Sequence, residues 1–112
     1  MKIAVPVAND RLAMHFGHCE AFAIVETDDE KKEVVSKSMS TAPPHEPGVL
    51  PRWLNEQGVD LVIAGGMGQR AQALFAQAGV QVVVGAPAGT PEELALAHIS
   101  GTLESGANLC DH

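Results

Sequence analysis

The sequence predicts an α/β domain built on a mixed five-stranded sheet flanked by about three helices. Three observations carry this expectation. Short apolar runs rich in β-branched residues recur along the chain at strand length. In the second half they alternate with helical periodicities, the pattern of strand–helix–strand crossovers between parallel strands. In the first half two runs are joined by the polar "TDDEKK", the pattern of a hairpin.

Taken in order, "KIAVPVA" (2–8) is a short apolar run suited to a buried strand. "AFAIVET" (21–27) and "EVVSKSM" (33–39) are the two arms of the hairpin. "STAPPHEPG" (40–48) holds three prolines in nine residues, which no regular element sustains, so it reads as a long loop. A helix over about 48–57 follows, with Leu50, Trp53 and Leu54 on one face and Gly58 as its stop. "VDLVIAGG" (59–66) is a buried strand ending in glycines. "MGQRAQALFAQAG" (67–79) is a helix with Ala71, Leu74, Phe75 and Ala78 on one stripe and Gly79 closing it. "VQVVVGA" (80–86) is a further strand. "GTPEELALAHIS" (89–100) opens a third helix with Thr90 as N-cap, Pro91 at the first turn and Glu93 completing a capping box. "GTLESGANLCDH" (101–112) reads as a stretch of low order. One domain over 1–104 with a flexible tail over 105–112 is therefore expected.

A hairpin followed by right-handed crossovers gives strand order 3-2-1-4-5 most simply, a topology of the ribonuclease H-like class. Strands 1, 3, 4 and 5 then run the same way and their C-terminal ends share one rim. The loops "NDRLAMHFGHC", "STAPPHEPG", "GGMGQR" and "GAPAGT" all fall there, where open α/β sheets bind ligands.

Composition bounds the partners. The chain has 112 residues, enough for one core, and a net charge of −7. That charge argues against nonspecific contact with nucleic acid or anionic membrane, which needs a positive surface. Two cysteines, Cys19 and Cys110, are too few for a disulfide scaffold. The opening "MKIAVPV" is broken by Pro6 and reads as a strand rather than a signal peptide, and no run approaches the ~18 apolar residues of a membrane span. A cytoplasmic protein is expected.

Two groups of residues carry candidate chemistry. His15, His18 and Cys19 fall within five positions and are good ligands for soft metals. A metal site needs about three or four donors, and His18 and Cys19 are adjacent, so a polar loop with a partly buried thiol is the competing account. His45 in the proline loop and Cys110 and His112 in the tail are further donors. The third helix should carry the chain about 18 Å away from the rim, and an extended tail of about ten residues reaches ~33 Å, so return is allowed but not implied. The second group is Gly65, Gly66, Met67, Gly68 and Arg70 at a strand-to-helix junction. Glycines admit a close ligand, a helix N-terminus favours anions, and Arg70 adds charge. The spacing is neither a Walker A motif nor a full dinucleotide fingerprint, and a tight packing turn is the alternative. His98 lies among Ala and Ile on the third helix and reads as a surface histidine. Enzyme readings find no support: the central strands lack the carboxylates of a two-metal nuclease, and no third group orients a Cys–His pair.

The sequence resembles the nitrogenase iron–molybdenum cofactor biosynthesis family, in "MKIAVPVAND", "HFGHCEAFAIVE", "LVIAGGMGQRAQALFAQAGVQVVVGA" and the tail Gly101, Leu103 to His112. The resemblance implies a ribonuclease H-like fold without nuclease activity that binds iron–sulfur or molybdenum-containing clusters or their precursors. The matching positions are His15, Gly17, His18 and Cys19, then Gly65, Gly66, Met67, Gly68 and Arg70. A non-enzymatic carrier of an iron–sulfur or iron–molybdenum-type cluster is therefore expected, exchanging cargo with donor and acceptor proteins. The alternative is a small-anion or nucleotide-binding regulatory module using the glycine turn alone.

Overall fold

Side chains on the middle strands are buried on both faces, and the architecture follows from that. The computed structural model describes residues 1–8, 11–12, 21–41 and 49–103. In chain order the elements are β1 (Lys2–Ala8), β2 (Arg11–Leu12), β3 (Ala21–Asp28), β4 (Glu33–Thr41), α1 (Val49–Glu56), β5 (Leu61–Ile63), α2 (Gln69–Gln77), β6 (Gln81–Val83) and α3 (Pro91–Ile99). Ile3, Val5 and Val7 of β1 join Ala23, Val25, Leu61 and Ile63 in one core, which Leu94, Ala95 and Ile99 of α3 cover. Ala4 of β1 joins Phe22, Ile24 and Val62 in the other, under Leu50 and Leu54 of α1 and Phe75 of α2. The described residues thus form three layers, with two helices on one face of the sheet and one on the other. Trp53 of α1 meets Phe22 edge-on, with ring centroids 5.7 Å apart.

The expected five-stranded sheet in order 3-2-1-4-5 is corrected to six strands. The path is β4-β3-β1-β5-β6, with β2 paired to β1 off that path, and the insertion of β2 renumbers every later strand. β2 lies in the stretch read as a rim loop. It forms because Leu12 is buried at 5% exposure, opposite Val7, and its amide donates to the Gly89 carbonyl at 2.9 Å. β1 pairs antiparallel with β3 and parallel with β5, and β3 pairs antiparallel with β4. Lys2 N and O both face β5, through the Asp60 carboxylate and amide. Alternation turns the nitrogen of Pro6 to the same edge, beyond the last β5 pairing at Ala4, where its missing N–H costs no ladder bond.

β5 and β6 are shorter than expected, three residues each, but the chain beyond them stays laddered. Ala64 N donates to Val83 O at 2.8 Å, Gly85 N to Gly65 O at 2.9 Å and Ala86 N to Ala64 O at 3.1 Å. Each helix ends on a glycine of positive φ: Gly58 at 81°, Gly79 at 81° and Gly101 at 74°. In each case the next amide reaches back to the third-last helical carbonyl: Val59 to Leu54, Val80 to Phe75 and Thr102 to Ala97, at 2.8 to 3.1 Å. At the start of α3, Thr90 Oγ1 accepts from Glu93 N at 3.3 Å and donates to Glu93 Oε1 at 2.8 Å. The glutamate therefore meets the hydroxyl rather than the backbone amide of a full capping box. Residues 101–103, expected to belong to a loose stretch, are part of the fold: Leu103 packs against the α3 core, and its amide donates to Ala97 O at 3.1 Å.

Candidate functional site

β1, β4, β5 and β6 run in one direction, so Ala8, Thr41, Ile63 and Val83 end at one rim of the sheet. Val7 is the hinge point of that rim. It pairs with Leu12 on one edge and with Ala21 on the other. Ala21 in turn pairs with Thr41. The anchors on either side of residues 13–20, and the strand leading into 42–48, are therefore neighbours at the end of β1. His15, Gly17, His18 and Cys19, with His45, Cys110 and His112, lie outside the described residues. Among the described residues no three His, Cys, Asp or Glu side chains gather as a metal-ligand set.

The glycine turn is fully described. Gly65 and Gly66 are buried, the first tied into the strand ends by the bond its carbonyl accepts from Gly85. Met67 is 0% exposed and fills the core beneath α2, so its side chain contributes packing rather than a surface. Its carbonyl accepts from Gln72 Nε2 at 2.9 Å. Gly68 is the N-cap of α2, at φ −64° and ψ 155°, with no side-chain cap, and its carbonyl accepts from Gln72 N at 3.1 Å. That conformation is open to any residue. A Cβ added at Gly68 would meet nothing within 4 Å. Neither backbone strain nor packing requires glycine there, unlike Gly79, whose φ does. What glycine does provide is a helix start with no capping side chain, at the positive end of the helix dipole.

Charged side chains stand at both ends of the sheet. Arg70, exposed in the first turn of α2, and Arg11, exposed on β2, both stand at the rim. At the opposite end Glu26, Asp28, Asp29, Glu30 and Asp60 line one broad groove, with Lys2 among them. Glu92 and Glu93, in the first turn of α3, stand at the rim as well, so the described rim carries both signs of charge. Arg11 and β2 were not singled out by residue type. The available signal was Leu12, an isolated apolar residue inside a polar loop. His98 is half-buried on α3, beside Gln72 and Gln81 at the β6 edge and away from the rim. No described helix is long and apolar enough to cross a membrane.

Comparison with known proteins bears on these features. Residues 1–101 match the family described as dinitrogenase iron-molybdenum cofactor. An uncharacterized protein of Methanocaldococcus jannaschii is 33% identical over 85 residues, which span 73% of this chain and 72% of that protein. The crystal structure of PH0822 superposes with a TM-score of 0.83 at 29% identity, covering 94% of each chain. The apo form of the orange protein from Desulfovibrio gigas superposes with a TM-score of 0.72 over 96% of this chain and 93% of that one. At 19% identity that last likeness concerns the fold alone.

Proposed function

This chain belongs to the dinitrogenase iron–molybdenum cofactor family, and from that membership and the chemistry of its rim we propose that it is a non-enzymatic carrier of a metallocluster. The cargo would be an iron–sulfur or iron–molybdenum-type cluster, or a precursor, received from a donor protein and passed to an acceptor in the cytoplasm. The observation that carries the reading is the α2 start: Gly68 is a glycine the fold does not require, beside Arg70 and on the rim where the ends of the 13–20 segment are pinned. A cluster with net negative charge suits the positive end of a helix dipole and a guanidinium. His15, His18 and Cys19 would supply soft ligands to its iron, with His45, Cys110 and His112 as further donors. Gly17, Gly65, Gly66 and Gly68 would let the backbone come close, and Met67 would hold the turn from beneath. The ribonuclease H-like assignment belongs to the same proposal, with no catalytic residue in it.

Anaerobic reconstitution with ferrous iron and sulfide tests this reading. The intact chain should acquire visible cluster absorption, and Cys19→Ala should lose most of it. The glycine turn also supports a second reading, a small-anion or nucleotide module. A metal-free sample whose thermal stability rises with added nucleotide, together with no cluster uptake, would favour that module over the carrier.

A further inference from the structure

β4 is an edge of the sheet: it pairs with β3 and, among the described residues, has no neighbour on its other side. Lys2 turns its backbone groups to β5, so its partner Glu26 turns its own to β4, and alternation assigns the same to Ile24 and Phe22. Ser38 and Ser40, opposite Ile24 and Phe22, therefore spend their N–H and C=O on β3, while those of Lys37 and Met39 point outward. An outward row of donors and acceptors is a template for a further strand.

Folds guard such edges with bulges, charge or proline. Here the guard stands at one end only. A register shift between Glu26 and Thr27 leaves Val35 as the extra residue of a bulge, and the turn before it, 28–33, holds four acidic residues and two lysines. From Ser36 to Thr41 the sole charge on β4 is Lys37, and Glu92 of α3 draws its ammonium onto the sheet face at 3.0 Å. Met39 shares that face and is 48% exposed, and Leu96, one turn along α3 from Glu92, is 40% exposed. We propose that β4 pairs antiparallel with β4 of a second copy of this chain, about a two-fold axis at Ser38. Lys37 then exchanges backbone hydrogen bonds with Met39 of the second copy, and Met39 with the second copy's Lys37. Ser36 meets Ser40 in the same way. An axis at Lys37 would set two ammonium groups against each other, which the axis at Ser38 avoids. The acidic turns fall at opposite ends of the joined strands. Two chains of net charge −7 thus meet along a stretch that is neutral once Glu92 is counted with Lys37. The axis is perpendicular to the sheet, so both α3 helices lie on one side, with Met39 and Leu96 of each copy flanking the seam. The contact stands independently of the carrier reading.

Sedimentation of the metal-free full chain under reductant tests the pairing. Two short strands make a contact at the small end of specific interfaces, so the dimer should form with a Kd on the order of 10–100 µM. Met39→Lys sets an ammonium opposite Lys37 of the other copy, twice by symmetry, and should weaken the dimer about tenfold. Met39→Glu sets a carboxylate at the same place and should hold the dimer at least as tightly as the unmodified chain. Position 39 is exposed, so both variants should fold. Met39→Pro deletes one outward N–H and no bond to β3, and it should leave monomers. A chain that stays monomeric at about 0.5 mM, well above the expected Kd, would overturn the proposal. So would a dimer that Met39→Lys and Met39→Glu affect alike, since its contact would lie on another face or in another register.

Discussion

Gly68 and Gly79 are the same residue type at opposite ends of α2, and their roles differ. Gly79 holds a φ of 81° that other residues adopt only with strain, so it serves the fold. Gly68 holds an ordinary φ in open space, so neither strain nor packing requires glycine there. Gly68→Asp should therefore separate stability from binding. Aspartate is a better N-cap, and the metal-free protein should gain a few tenths of a kcal/mol in a thermal melt. Retention of a reconstituted cluster should meanwhile fall about twofold to fivefold, from ~0.5–1 kcal/mol of lost charge complementarity at the helix start. Arg70→Ala should lower retention in the same direction with an unchanged melt, since the side chain is exposed. Equal cluster retention in both variants would remove the helix start from the site. The glycine turn's place at a strand-to-helix junction was legible in the sequence, because glycines there follow an apolar run and precede a helical stripe. The division of labour among them was not: Met67 becomes a core residue only once α2 lies over it.

Among the elements, the helices were the most legible, because their stops and starts are written locally. Gly58, Gly79 and Thr90 each act where expected, each through hydrogen bonds within a few residues. Thr90→Ala removes the oxygen that accepts from Glu93 N. It should cost about 1 kcal/mol, read as a fall of ~4–8 °C in the melting temperature. β2 was illegible for the opposite reason. It is two residues long, and besides its neighbour Val7 it is held by Gly89, a partner far along the chain. The short β5 and β6 show a related effect: beyond Asp60 and Gln81, "LVIAGG" and "VVVGA" hold no polar side chain, so composition alone could not mark where regular pairing gives way to single bonds between strand ends. The direction of the chain after α3 was also missed. The glycine closure at Gly101 follows the pattern of the other two helices, but the pattern is apparent only when all three are compared.

For the whole molecule, the topology gathers chemistry that is scattered in sequence. β1 brings Leu12 and Ala21 to one residue, β3 brings Thr41 beside them, and the β5 and β6 ends carry the two glycine-rich turns to the same rim. The candidate ligands themselves were legible by type, but they lie outside the described residues, and only their anchors are fixed. Deleting residues 107–112 examines the layout at this scale. The helix closure and Leu103 remain, so the reduced metal-free protein should melt within about 4 °C of the intact chain, a change of under ~1 kcal/mol. Cluster content after reconstitution should fall, because Cys110 and His112 are lost. The most direct measurement on the carrier reading is the metal and sulfide content of this protein purified without oxygen from cells that make clusters. The account predicts iron and acid-labile sulfide, with or without molybdenum, in near-stoichiometric amounts, and their loss from Cys19→Ala purified alongside. Protein that carries no transition metal as isolated, or a Cys19→Ala variant that keeps the full complement, would contradict it.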